Sequence, residues 1–82
     1  MSKLVSKEGY ARNLMVDYIE FDKEMYALYI PYGTEEKIIK KVNNFRKNEP
    51  DFTIKELKEL RRSMNRELKE CLYRIDGYKH RH

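Results

Sequence analysis

The residue types that most often do chemistry are few in this chain, and they are spaced badly for it. Cys71 is the only cysteine, and His80 and His82 are the only histidines. A catalytic nucleophile needs a base within hydrogen-bond reach and a third group to orient that base, and no such set can be assembled from these residues. His80 and His82 lie two apart, with no cysteine or carboxylate cluster at ligand spacing to complete a metal site. There is no glycine-rich loop of the kind that cradles phosphates. The expectation is a non-enzymatic protein with no cofactor and no metal.

Charge and tyrosine are abundant instead: charged residues make up 39% of the chain, and seven residues are tyrosine. Tyrosine joins a large rigid apolar body to a polar tip, which suits surfaces that exchange water for a partner. Tyr10, Tyr18, Tyr26, Tyr29 and Tyr32 form the candidate protein interface. The second candidate surface is basic. Lys55, Lys58, Arg62, Arg66 and Lys69 recur at three- and four-residue spacing, with Asn65 alongside, and Lys37, Lys40 and Lys41 add positive charge upstream. Residues 35–82 hold 14 basic against 9 acidic side chains, whereas residues 1–34 hold 4 against 5. A nucleic-acid backbone exploits such asymmetry through counterion release. The competing reading is a solvated face, because Glu56, Glu59, Glu67 and Glu70 run beside the row and can form pairs such as Lys55 with Glu59 and Arg66 with Glu70.

The elements that position these residues begin with the clearest, a helix over about 54–76. Thr53 and Glu56 have capping-box spacing, and Phe52 can staple onto Leu57. Ile54, Leu57, Leu60, Met64, Leu68, Cys71, Leu72 and Ile75 project onto one stripe, with Arg61 the only charged intruder. Cys71 therefore reads as a packing residue. Gly77 can end this helix and leave a basic tail at 78–82. A second helix is expected over about 35–47, with Thr34 as its cap, Glu35 and Glu36 at the positive end of its dipole, Lys47 in its last turn, and Ile38, Ile39, Val42 and Phe45 as its apolar side. Asn48, Glu49, Pro50 and Asp51 make the turn between the two.

Residues 10–32 are rich in strand-forming Tyr, Ile, Val and Phe, yet their pattern fits a helix over about 10–30. Tyr10, Ala11, Leu14, Met15, Tyr18, Ile19, Phe21, Met25, Tyr26, Leu28, Tyr29 and Ile30 take a little over half of the projection, and polar residues take the rest, with Asp22 misplaced. The rival is a hairpin of Leu14 to Phe21 and Met25 to Ile30 around residues 22–24. The expected fold class is thus all-α, a small three-helix antiparallel bundle in one domain spanning 1–82. The alternative is α+β, with a strand or hairpin within residues 14–31 followed by two helices. On the all-α reading, the first helix has an apolar arc of roughly 200°, wider than two neighbours cover. The expected partner is accordingly a protein or a second copy of the chain on the tyrosine side, with nucleic acid on the basic row as the alternative.

The stretch MYALYIPYGTEEKIIKKVNNF, followed by another helix, resembles the strand-helix-helix order of ribbon-helix-helix DNA-binding proteins. The resemblance covers about half of the chain. It implies dimerisation through the strand and insertion of that strand into the major groove, presenting Met25, Ala27 and Tyr29 on one face or Tyr26, Leu28 and Ile30 on the other. Neither face carries the Arg, Lys, Asn or Gln of direct base readout, and the join between the two helices has no glycine.

At 82 residues and 10.1 kDa the chain supports one thin core inside a charged shell. The longest uncharged run, Met25 to Thr34, contains a proline and is far short of a bilayer span. With a lone cysteine and no apolar stretch in the opening residues, a reducing, cytoplasmic setting is expected.

Overall fold

A computed structural model describes residues 5–22 and 27–76, with side-chain environments for 5–21 and 28–72. Its elements are α1 (Lys7–Val16), β1 (Glu20–Asp22), β2 (Ala27–Tyr29), α2 (Thr34–Phe45) and α3 (Ile54–Asp76). The strands pair antiparallel, with Glu20 opposite Tyr29, Phe21 opposite Leu28, and Asp22 opposite Ala27. The architecture is therefore three helices with a small hairpin, which matches the α+β alternative. The single helix expected over 10–30 is not formed.

Length explains that correction. A helix over 10–30 would be about 31 Å long, whereas its neighbour α2 has 12 residues, or about 18 Å. Along its far half such a helix would have had only α3 to pack on, leaving the rest of its wide apolar arc in water. Ending α1 at Val16 and turning the chain back through strand-forming residues brings Ile19 and Ile30 onto the body instead; Ile30 is 1% exposed. Ser6 starts α1 earlier than expected, its hydroxyl accepting from the Gly9 N–H at 3.0 Å.

The core is one cluster: Ala11 and Met15 from α1, Ile30 after β2, Ile38 and Val42 from α2, and Leu57, Leu60 and Met64 from α3. Both long helices follow their apolar periodicity. At the start of α3 the Thr53 N–H donates to Glu56 Oε1 at 2.8 Å, and the Glu56 N–H donates to Thr53 Oγ1 at 3.2 Å. This is the reciprocal cap that the spacing predicts. At the start of α2, Gly33 and not Thr34 occupies the cap position, with φ of 93°. That left-handed backbone favours glycine. Thr34 becomes the first helical residue and is buried. α2 ends at Phe45, so Lys47 lies beyond it.

The stripe of α3 is only partly covered. This helix has 23 residues, about 34 Å of length, and so outruns both partners. Leu57, Leu60 and Met64 are buried, but Leu68 and Leu72 are only half-buried and Cys71 is exposed, correcting its expected packing role. Ile75 and residues 77–82, including Gly77, His80 and His82, lie outside the described side chains.

Side chains reaching distant backbone groups hold the elements together. Lys7, itself buried, donates to the Glu49 and Pro50 carbonyls, and Arg46 donates to the Val5 carbonyl at 2.9 Å. Asn43 accepts from the Phe52 N–H. Asn65 clamps the hairpin to α3: its Oδ1 accepts from the Ile30 N–H at 2.6 Å, and its Nδ2 donates to the Ile30 carbonyl at 3.2 Å. Buried backbone groups must be paired, so Asn65 serves Ile30 as a neighbouring strand would. Asn65→Leu is expected to cost about 1–3 kcal/mol in urea unfolding and to speed hydrogen exchange at the Ile30 amide. Unchanged exchange there would contradict the clamp.

Candidate nucleic-acid interface

α3 has three longitudinal sectors. Leu57, Leu60, Arg61 and Met64 face inward and are buried. At about 100° per residue, Lys55, Lys58, Arg62, Arg66 and Lys69 fall together on one flank, and Glu56, Glu59, Glu67 and Glu70 fall on the other. Two contacts fix which neighbour lies on which side. Arg12 of α1 meets Glu67 at 2.9 Å on the acidic flank, and the Asn65 clamp holds the end of β2 on the basic one. All five basic residues of the flank are exposed. Among the described residues the ion pairs are Arg12–Glu67, Arg46–Glu49 and Arg61–Glu35, so none of these five is paired. The Lys55–Glu59 and Arg66–Glu70 pairs of the solvated-face reading are not formed. The row covers 14 residue steps, about 21 Å. Lys37, Lys40 and Lys41 are exposed on α2.

Arg61, the intruder in the apolar stripe, pairs with Glu35 in the first turn of α2. Its Nε donates to Glu35 Oε2, with Glu35 2% and Arg61 8% exposed. Burial pushes the Glu35 carboxyl up. The Arg61 hydrogen bond, backbone N–H donors of Glu35 and Gly33, and the Arg61 charge together outweigh it, leaving the carboxyl below its ordinary value of 4.5. Beside this pair, the Thr34 hydroxyl is buried without a hydrogen-bond partner. The Arg61 guanidinium carbon lies 4.7 Å from the centre of the Tyr32 ring.

The tyrosines expected on one helix face are dispersed. Tyr10 stacks on Phe45, centroids 4.0 Å apart and planes within 7°. Tyr18 is half-buried, with the Lys37 ammonium 5.9 Å from its ring centre. Tyr29 is in β2, its hydroxyl donating to Glu20 Oε1 at 2.6 Å. Tyr32 projects from the turn before α2 and is 81% exposed. Tyr26 lies outside the described residues. The continuous tyrosine face fails because its premise, one helix through 10–30, fails. The sequence places Glu35 in the first turn of α2 but does not show its pairing with Arg61, nor the reach of Lys7 and Asn43; the visible signal for the pair is Arg61 standing in an apolar stripe.

Among the described residues no three His, Cys, Asp or Glu side chains come together to hold a metal ion, and no helix is long and apolar enough to cross a membrane. Compared with known protein families, curated proteins and solved structures, the chain matches none. The strand-helix-helix order is present as β2, α2 and α3, but β2 pairs with β1 of the same chain.

The Glu35 shift sets the sign of one pH effect. A carboxyl held lower in the folded state than in the unfolded state contributes stability that is complete above its unfolded value. That contribution disappears as pH falls through the folded value. Tm is therefore expected to fall as pH drops below about 4.5, and to fall less in Glu35→Gln, whose side chain has no proton to gain. Parallel pH profiles of the two proteins would contradict this assignment.

Proposed function

We propose that this chain is a non-enzymatic binding protein that docks on a nucleic-acid backbone through the basic flank of α3. The supporting observation is that Lys55, Lys58, Arg62, Arg66 and Lys69 share one flank, are exposed, and have no carboxylate within ion-pair distance among the described residues. Holding five like charges side by side raises the folded state's self-repulsion, and a polyanion relieves it. Several carboxylates that would have weakened the potential are occupied elsewhere: Glu35 with Arg61, Glu49 with Arg46, Glu67 with Arg12, and Glu56 in the cap of α3. Lys37, Lys40 and Lys41 add exposed positive charge on α2.

A second reading, a protein partner or a second copy, draws on the aromatic side chains around the hairpin. Phe21 is 52% exposed, and Tyr29 and Tyr32 are also among the exposed large apolar residues. A solution mass of twice the chain, returning to one chain in Phe21→Ser, would favour it. The lone exposed Cys71 fits a reducing compartment, and the proposed setting is the cytoplasm.

The charge reading has a quantitative signature. Contact by five cations predicts that log K falls against log salt with a slope of roughly −3.5 on single strands and roughly −4.5 on duplex. Arg62→Glu combined with Arg66→Glu is expected to abolish binding at about 0.1 M salt while leaving Tm nearly unchanged, since both side chains are exposed. Binding of that variant equal to wild type would refute the proposal.

A further inference from the structure

We infer that Tyr32 is a stacking platform for an unpaired base, so that the nucleic acid taken is single-stranded; this rests on the proposed backbone contact by α3. Among the described residues Tyr32 is the most exposed large hydrophobic side chain, at 81%. Pro31 precedes it with a fixed φ, and Gly33 follows at φ 93°, a left-handed backbone that glycine adopts without strain. One part of its ring is backed by the Arg61 guanidinium at 4.7 Å, and Arg61 is itself locked in the buried pair with Glu35. The remaining surface of the ring is open.

A rigid aromatic ring backed by a cation and open to water suits a nucleobase, because every base has a π-face and stacking needs no particular sequence. The position is consistent with that use. Lys58 lies one turn before Arg61 and about 60° from it around α3, so the ring stands beside that residue of the basic flank. A strand with its phosphates along that flank can turn one base onto Tyr32. Beside the ring is a cleft of about 220 Å³ that includes Tyr18, Thr34, Lys37 and Glu20, whose carboxylate accepts from the Tyr29 hydroxyl. It offers a second aromatic ring and an ammonium to the same nucleotide. A duplex cannot use the platform, since its bases are stacked on one another and their faces are covered.

The chain contains no tryptophan, so Tyr32→Trp places a unique fluorophore on the platform. Oligo-thymidylate and oligo-uridylate of about 12 nucleotides, within the site size of single-strand binding modules, would be titrated at low salt beside a duplex of equal length. Both single strands are expected to quench the tryptophan, and the duplex is expected to leave it unmoved. Tyr32→Ala is expected to weaken single-strand binding roughly 10-fold, with Tyr32→Phe near wild type. Single-strand affinity undiminished in Tyr32→Ala, or emission unmoved by bound single strands, would overturn the platform. The charge reading would survive that result if Arg62→Glu with Arg66→Glu still lost binding. Failure of wild type to bind either single strand or duplex would remove both.

Discussion

The ion pair between Arg61 and Glu35 is the constraint on which the rest of this small structure depends. It joins the middle of α3 to the first turn of α2, and both partners are almost wholly removed from water. Desolvating two charges consumes much of what their attraction returns, so such a pair adds little net stability compared with a well-packed apolar pair. Its consequence is selectivity. Any other register of α2 on α3 would leave a guanidinium or a carboxylate buried alone, at a cost of about 3–5 kcal/mol. Fixing that register also fixes the turn before α2, and with it Tyr32 over Arg61.

The same economy runs through the other contacts. Among the described residues eight buried apolar side chains form the core cluster, a thin core for three helices and a hairpin. The fold makes up the difference with polar side chains that reach across the sequence to backbone groups. Asn65 completes the hydrogen bonding of Ile30, Asn43 holds the approach to α3, and Lys7 collects the carbonyls of the interhelix turn. Each contact would be unremarkable on a surface. In a molecule this thin they decide how the elements sit, which in turn decides that the hairpin lies on the basic side of α3 and α1 on the acidic side.

This division of labour explains what could be read in advance. α3 was legible because its cap, stripe and length are local properties: Thr53 and Glu56 are three residues apart, and the apolar residues recur every three or four. α2 was legible for the same reason, apart from the exchange of Thr34 for Gly33 at its cap. Residues 17–29 were not, because Tyr18, Ile19, Phe21 and Leu28 satisfy a helical stripe and a strand equally well. What decides between them is the length of α2, a tertiary fact. Cys71 shows the converse limit: it lies on the stripe of α3, but the helix extends past its neighbours, so periodicity there does not become burial. The basic flank was visible as a row, but its lack of carboxylate partners was not, since spacing allows Lys55–Glu59 and Arg66–Glu70 and only the side-chain placement shows them unformed.

The exposed Tyr32 ring is thus carried over α3 by a single buried contact. The most direct test is a double-mutant cycle on that contact, comparing Glu35→Leu, Arg61→Met and the combined variant by denaturant unfolding. The account predicts that each single change costs about 3–5 kcal/mol. The double variant should cost less than the sum by about 2 kcal/mol or more, because it leaves no charge stranded. Additive losses, with no coupling between the two positions, would show that the pair does not hold α2 on α3.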